Sequence, residues 1–354
     1  MPERIFLSGA GGFVAHHFLE HVLSVTDWDV VATDSFRHRG TTDRIAQVLK
    51  GGPAWAEPDA RKNRVTVLQH DLRAPFSEQA QAVIAGGGGL DYLIAMASQS
   101  HVDTSITDPV AFCENNFAVA LNTLELARQL QPKAVVMIST DEVYGPAEPG
   151  HAHREWDAIL PSNPYAASKA AQEAVSISYW RTYGVPVIIT NTMNMIGERQ
   201  HPEKFVPRVL RAVLAGKEAV IHGSPGNVGS RHYLHARNMA DAVLFLLNSG
   251  PLPAMFPAHA ACGERRADRP DRYNIASADR IDNLELARMI AAAAGLPLKF
   301  RYEDFHATRP GHDPHYGLDP GKIAALGWKP PVPFAASLER TIRWTMQHPE
   351  WMLG

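Results

Sequence analysis

The stretch that decides the fold is RIFLSGAGGFVAHHF, residues 4–18. A short apolar run leads into a glycine cluster, where Gly9, Gly12 and Ala15 are spaced three residues apart, and an amphipathic segment follows. Glycine lets a strand-to-helix turn approach a pyrophosphate, and the start of the helix presents unpaired N–H groups to the anion. The pattern predicts a dinucleotide-binding turn, although a glycine cluster alone also fits a plain tight turn.

Two acids further along the chain favour the dinucleotide interpretation. Asp34 ends the apolar run DVVATD at the distance from Gly9 expected of an acid that binds ribose hydroxyls. Asp71 ends the next run, VTVLQHD, where it can reach an adenine. Because the Asp34 carboxylate repels a ribose 2'-phosphate, we expect NAD rather than NADP, a preference that the nearby Arg37 and Arg39 weaken.

The rest of the first half alternates short apolar runs such as AVVMIST and PVIITNT with helix-length segments. This alternation is typical of strand-helix-strand units and a parallel sheet. It predicts an α/β fold with a doubly wound parallel sheet, the Rossmann NAD-binding domain, over residues 1–190. Beyond it the pattern loosens, and we expect a smaller C-terminal α/β substrate-binding lobe over residues 191–354, with an interleaved boundary.

Composition excludes several classes of function. The chain of 354 residues is 45% hydrophobic and carries a net charge of −3 with no basic stripe, so we expect no nucleic-acid partner. No leader and no apolar run approaching the ~20 residues of a membrane span is visible, so we expect a cytoplasmic protein without a membrane partner. Cys113 and Cys262 are too isolated to suggest a disulfide framework or a thiolate metal site.

Histidine is plentiful, but it does not form a recognisable metal motif. The segments AHHF, HAH and GHDPH lack the helical ligand spacing and the acidic partner of a zinc enzyme. We therefore expect no metal.

The segment PSNPYAASKAA places Tyr165 and Lys169 four residues apart, on one face of a helix. An ammonium close to a phenol lowers the phenol pKa from about 10, so Tyr165 is a candidate general acid/base. Lys169 can also hold a ribose, and Thr140 at the end of AVVMIST completes a hydroxyl-Tyr-Lys group. Without a nucleotide fold, the pair would read as a surface pair on an amphipathic helix.

Two adjacent carboxyls, Asp141 and Glu142, follow the apolar run directly in MISTDEVYGPAEPG, residues 137–150. They either cap the loop or form a site that handles protons. Mutual repulsion and partial burial both raise a carboxyl pKa, so one of the two can stay protonated near neutral pH.

These motifs resemble the extended short-chain dehydrogenase/reductases, and among them the dTDP-glucose 4,6-dehydratases. The resemblance rests on SGAGGFVA, ASQSHVDTSI, STDEVYG and YAASK, and extends through YNIAS to LERTIRWTMQHPEW, nearly the whole chain. STDEVYG is the most specific, because related epimerases usually lack residues that can perform an acid/base elimination at this position.

The resemblance implies a nucleotide-diphosphate sugar substrate, NAD and a complete mechanism. Tyr165 takes the proton of the sugar 4-hydroxyl while hydride passes from carbon 4 to NAD+. Glu142 then removes the proton on carbon 5, Asp141 protonates the departing 6-hydroxyl, and hydride returns to carbon 6. The product is a 4-keto-6-deoxy sugar.

The same resemblance assigns site residues. The implied catalytic residues are Thr140, Asp141, Glu142, Tyr165 and Lys169. The implied cofactor-binding residues are Gly9, Gly12, Phe13, Val14, Asp34, Asp71, Leu72, Ala97, Tyr165 and Lys169. The implied substrate-binding residues are Ser100, His101, Asn194, Lys204, Arg231, Asn274, Arg309 and His312.

Departures from the family pattern leave the nucleotide and the sugar open. Asn191 stands where an arginine is usual, and Gln99 replaces a glutamate. A 5,6-dehydratase that stops before hydride return, a 4-epimerase and a decarboxylase remain alternatives, as does a non-catalytic dinucleotide sensor. Related enzymes dimerise through a four-helix interface, which here would use NNFAVALNTLELARQL and YAASKAAQEAVSISYWRTYG.

Overall fold

The computed structural model describes residues 2–51, 61–148, 150–278, 280–304, 313 and 315–352. Its strands are β1 Arg4–Ser8, β2 Asp29–Asp34, β3 Val65–Gln69, β4 Tyr92–Ala95, β5 Ala134–Thr140, β6 Val187–Thr192, β7 Met195–Ile196, β8 Ala219–Ser224, β9 Asn227–Val228, β10 Ser230–His232, β11 Leu234–His235, β12 Asp271–Ile275, β13 Arg280–Asp282 and β14 Phe300–Glu303.

The helices alternate with these strands along the first half of the chain. They are α1 Phe13–Val25, α2 Thr42–Lys50, α3 Glu78–Ala85, α4 Val102–Thr107, α5 Pro109–Leu130, α6 Pro164–Tyr183, α7 Phe205–Leu214, α8 Ala236–Asn248, α9 Asn283–Ala293, α10 Gly321–Ala325 and α11 Phe334–Gln347, with 3₁₀ turns at Lys62–Arg64, Asp141–Tyr144 and Pro349–Met352. Over the described residues, no helix combines the length and the apolar character needed to cross a bilayer.

The central sheet has seven strands in the order β12-β6-β5-β4-β1-β2-β3, and every pair of neighbours is parallel. The strand order reverses between β1 and β4, which places a crevice at the carboxyl ends of these two strands. This topology confirms the predicted doubly wound α/β fold.

Both faces of the sheet are covered, because successive strand residues point to opposite sides. In β1, Ile5 and Leu7 join one buried cluster, whereas Phe6 joins the other. Helices α1 and α8 cover the first face through residues such as Phe18 and Val243. Helices α3, α5 and α6 supply apolar side chains to the second.

The C-terminal half forms a separate apolar cluster from α7, α9, α11 and the three-stranded sheet β14-β8-β9. One of its strands nevertheless belongs to the central sheet, since β12 pairs in parallel with β6 from Asp271↔Ile188 to Ile275↔Thr192. The central sheet therefore draws a strand from well beyond residue 190.

A fully buried ion pair joins β12 to α6. The Arg272 guanidinium donates to the Glu173 carboxylate at 2.6 Å, and the two side chains are 1% and 0% exposed. Glu173 also accepts from the Asn191 amide at 2.7 Å, and that amide donates to the Thr140 carbonyl at 3.0 Å. Through the Asn191 amide, the ion pair is thus connected to the carboxyl end of β5.

Removing one partner of this pair leaves an uncompensated buried charge. We expect Arg272→Met to lower the free energy of unfolding by about 3–5 kcal/mol, and Arg272→Met with Glu173→Met to lose clearly less. Urea unfolding followed by circular dichroism measures both. A single variant that loses less than the double variant would contradict the role assigned to the pair.

Candidate active site

The glycine turn after β1 is a backbone cradle without room for side chains. A Cβ on Gly9, whose φ is +72°, would lie 2.9 Å from the Ala97 Cα, and a Cβ on Gly12 would lie 2.9 Å from the Gly9 carbonyl oxygen. Helix α1 begins at Phe13 without a side-chain cap, so its first N–H groups stay available. This geometry fits the pyrophosphate of a dinucleotide.

Asp34, the last residue of β2, lies beside this cradle. Its carboxylate accepts the backbone N–H groups of Gly11 at 3.0 Å and Phe36 at 2.8 Å, so its negative charge is fixed in place. The neighbouring Arg37 is paired with Asp71 at 3.1 Å, a contact that occupies one of the two cations near the ribose position. These contacts agree with the expected preference for NAD.

A cavity of about 670 Å³ extends from the glycine turn to the end of β5. It brings together most of the residues that the sequence assigned to the site. The expected residues that line it are Gly9, Gly12, Phe13, Val14, Asp34, Asp71, Leu72, Ala97, Ser100, His101, Thr140, Asp141, Glu142, Tyr165, Lys169, Asn194 and Lys204.

Tyr165 and Lys169 line the cavity from α6, but their electrostatics differ from the expectation. Lys169 Nζ donates to the Ile138 carbonyl and to Gln172 Oε1, each at 2.6 Å, and burial lowers its pKa to about 8. The pKa of Tyr165 is raised, first by burial and then by the negative charge of Glu142. The expected lowering of the phenol pKa by Lys169 is therefore corrected, because the charges that act on the phenol here are carboxylates.

The two adjacent acids lie in the 3₁₀ turn that follows β5. Thr140 Oγ1 donates to Asp141 Oδ1 at 3.0 Å, whereas Asp141 Oδ2 is buried without a hydrogen-bond partner. The Asn163 amide donates to Glu142 Oε2 at 3.2 Å. Burial, and secondly the charge of Glu142, raises the pKa of Asp141 to about 7, and burial also raises the pKa of Glu142.

This arrangement can pair a proton donor with a proton acceptor. A carboxyl with a pKa near 7 keeps its proton over much of the neutral range, and the carboxyl oxygen without a partner can carry it. The amide of Asn163 meanwhile orients the Glu142 carboxylate. Tyr165 adds a third ionisable group in the same cavity.

Some expected substrate contacts lie elsewhere. Asn274 is corrected: it is fully buried in β12, its amide donates to the carbonyls of His153 and Asp319, and it does not line the cavity. Arg231 is also absent from the cavity lining, although its positive charge lowers the pKa of Asp141 and Glu142 against the effect of burial. Arg309 and His312 lie outside the described residues.

The structure adds residues that the sequence did not single out. Glu203, which also lines the cavity, contacts Arg39 at 2.9 Å and His101 at 3.2 Å. No local sequence signal announces a pair so distant in the chain. Asn163, in contrast, is the N-cap of α6, and an Asn-Pro step before a helical pattern is a readable cap signal.

Comparison with known proteins shows which family the chain resembles. The chain is 30% identical over 341 residues to the low-salt glycan biosynthesis protein Agl12 of Haloferax volcanii, covering 96% of this chain and 97% of that protein. It is 30% identical over 374 aligned positions to dTDP-glucose 4,6-dehydratase 1 of Escherichia coli, covering 99% and 94%.

A longer relative is the trifunctional UDP-glucose 4,6-dehydratase/UDP-4-keto-6-deoxy-D-glucose 3,5-epimerase/UDP-4-keto-L-rhamnose-reductase RHM2 of Arabidopsis thaliana. Identity is 28% over 99% of this chain, which spans only 48% of that protein's length.

Among solved structures, dTDP-glucose 4,6-dehydratase DesIV of Streptomyces venezuelae, crystallised with NAD and TYD, matches with a TM-score of 0.79. Identity is 29%, and 99% of each chain is covered. The family profile named "NAD dependent epimerase/dehydratase family" matches residues 5–256. These matches confirm the resemblance inferred from the motifs, and the chain belongs to the NAD dependent epimerase/dehydratase family.

Proposed function

We propose that the chain is an NAD-dependent nucleotide-sugar 4,6-dehydratase, a hydro-lyase that converts an NDP-hexose resembling dTDP-glucose to the NDP-4-keto-6-deoxyhexose. The observation that carries this proposal is the pair of adjacent acids, Asp141 and Glu142, both with raised pKa values, in the cavity that holds Tyr165. A relative of this family that only inverts carbon 4 has no use for such a pair.

The glycine cradle, Asp34 and Lys169 are the residues that would hold the cofactor. When bound, NAD+ supplies the hydride acceptor for oxidation at carbon 4, and its positive nicotinamide ring favours the phenolate of a nearby tyrosine. Tyr165 Oη then accepts the proton of the sugar 4-hydroxyl. Thr140 supports this step, since its hydrogen bond to the phenol counteracts the effect of burial on the Tyr165 pKa.

Elimination of water requires a base at carbon 5 and an acid at carbon 6. Glu142 acts as the base, because the Asn163 amide holds its carboxylate at 3.2 Å. Asp141 acts as the acid, because its pKa of about 7 retains the proton that the departing 6-hydroxyl needs. Adjacent residues suit this step, since the two sugar carbons are bonded neighbours. The 4-keto-6-deoxy product then requires return of the hydride to carbon 6 and of a proton to carbon 5, and Glu142, protonated by the elimination, would give back that proton.

Substrate contacts are assigned on the same basis. Ser100, His101, Asn194 and Lys204 line the cavity and are assigned to the nucleotide-diphosphate sugar. Arg231 is assigned to the diphosphate, because a guanidinium fork suits that anion and its charge already acts on both acids. A cytoplasmic location stays a prediction.

We also propose that the chain forms a homodimer through α5 and α6. The two helices pack against each other, and α5 exposes 67% of Val110 and 41% of Phe117. Two copies of this helix pair would bury these apolar side chains in a four-helix interface.

The base assigned at carbon 5 is tested by Glu142→Gln. Loss of the carboxylate removes general-base catalysis, so we expect turnover to fall by about 10²–10⁴. The rate at which solvent deuterium enters carbon 5 of the sugar should fall by the same factor, as measured by NMR. Glu148→Gln is the matched control, because Glu148 is exposed on the same loop. An epimerase would lose little activity in either variant.

The pH profile tests the acid. Because the pKa of Asp141 is raised to about 7, its protonated form is abundant below that pH and falls about tenfold per unit well above it. Water elimination should therefore slow as pH rises beyond about 7, and should also slow at low pH as Glu142 gains a proton. Asp141→Asn should be slower throughout and lack the alkaline decline; an unchanged decline in that variant would refute the assignment.

The dimer is tested by Phe117→Glu. A charge placed on this exposed apolar face would be buried by association, so we expect the variant to elute as a monomer where the wild type is a dimer. Light scattering after size-exclusion chromatography measures the mass. Thr107→Glu, in α4, is a control outside α5 and α6, and a dimeric Phe117→Glu variant would place the interface elsewhere.

A further inference from the structure

A cluster of His151, His153 and Asp157 lies in the loop between the 3₁₀ turn and α6. One ligand atom from each residue falls within 4.8 Å of the other two. The segment HAH has no acidic partner with the spacing of a zinc motif in the sequence, but the fold brings Asp157 to it. None of the three residues lines the cavity of the candidate active site.

The distances within the cluster suit a tetrahedral metal ion better than hydrogen bonds. Asp157 Oδ2 lies 3.5 Å from His153 Nδ1 and 3.7 Å from His151 Nε2, beyond the usual hydrogen-bond limit of about 3.2 Å. Metal bonds of about 2.0–2.2 Å separate neighbouring ligand atoms by roughly 3.3–3.6 Å in a tetrahedron. Two of the three separations are thus close to those of a coordinated set, and the third lies within 4.8 Å.

His153 is oriented as a metal ligand. Its Nε2 is directed at the Pro146 carbonyl oxygen, a long contact of 3.4 Å that suits a proton on Nε2, and in that tautomer the Nδ1 lone pair is directed toward Asp157. That Nδ1 is buried and has no hydrogen-bond partner. A buried acceptor left unsatisfied is costly unless something binds it.

The surroundings hold the cluster in place. The carboxylate of Asp157 accepts the backbone N–H of Arg154 at 2.9 Å, which orients it as outer-shell contacts orient metal-binding carboxylates. The Arg154 guanidinium turns to Asp319 instead, 3.4 Å away. The ring of His153 stacks on Tyr144 with centroids 5.3 Å apart.

The backbone is equally restrained on the His153 side. Its N–H donates to the Gly317 carbonyl, and its carbonyl accepts from the Asp319 N–H, each at 2.9 Å. His151, by contrast, has a side chain that is 51% exposed, so its imidazole can adjust to an incoming ion. The site therefore combines a fixed ligand with an adaptable one.

We propose that His151, His153 and Asp157 bind a divalent transition-metal ion of the zinc class. Two imidazole nitrogens and one carboxylate oxygen suit such an ion and not magnesium or calcium, which prefer oxygen ligands. Solvent supplies the fourth ligand. The bound ion fastens the loop that connects the turn carrying Asp141 and Glu142 to the helix carrying Tyr165, and so stabilises the fold without joining the chemistry.

Titration of the chelator-treated full chain with Zn²⁺ by isothermal calorimetry tests this proposal. We expect one ion per chain for the wild type, and at least about tenfold weaker binding for His151→Ala and for Asp157→Asn, each of which removes one ligand. His259→Ala is the matched control, because His259 is an exposed histidine elsewhere in the fold. Equal affinity of the wild type and the two ligand variants would overturn the proposal.

Thermal unfolding provides a second readout that does not depend on activity. Zn²⁺ should raise the unfolding midpoint of the wild type and of His259→Ala by the same amount, because an ion that binds only the folded state stabilises it. The double variant His151→Ala with Asp157→Asn should show no such rise. Equal stabilisation of the double variant would assign the ion to other residues and refute the site.

Discussion

The withdrawal of two adjacent carboxyls from solvent at the carboxyl end of β5, Asp141 fully and Glu142 in part, is the constraint on which the rest of the site depends. Parallel strands converge on this edge of the sheet, so Asp141 and Glu142 face the same cavity as the glycine turn. Burial raises the pKa of both acids, and through Glu142 it helps to raise that of Tyr165. A single physical cause thereby sets the ionisation of the proposed acid and base and influences that of the tyrosine.

Such a cluster of acids is costly to bury, and the fold supports it from two sides. On the cavity side, Thr140 and Asn163 donate hydrogen bonds to the carboxylates. Behind the strand, the amide of Asn191 holds the Thr140 carbonyl and is itself held by Glu173. Arg272, from the neighbouring strand β12, supplies a guanidinium to Glu173.

Local pattern predicted the nucleotide half well. The run DVVATD is strand β2 and AVVMIST is strand β5, residue for residue, because continuous apolar runs between helical segments admit few other structures. Strand β12, in contrast, was not predicted from its local pattern. Its polar residues Arg272 and Asn274 are buried, and their acidic partners Glu173 and Glu155 lie 99 and 119 residues away in the chain, beyond any local signal.

The sequence predicted which residues line the cavity better than it predicted their hydrogen bonds and pKa shifts. Spacing identified Tyr165 and Lys169, but only the structure shows that Lys169 donates to Ile138 and Gln172. The most direct test of the proposed elimination is the mass of the product formed from a panel of dTDP-, UDP- and GDP-hexoses. We expect one of them to lose the mass of one water, whereas turnover with an unchanged mass would contradict the dehydratase function.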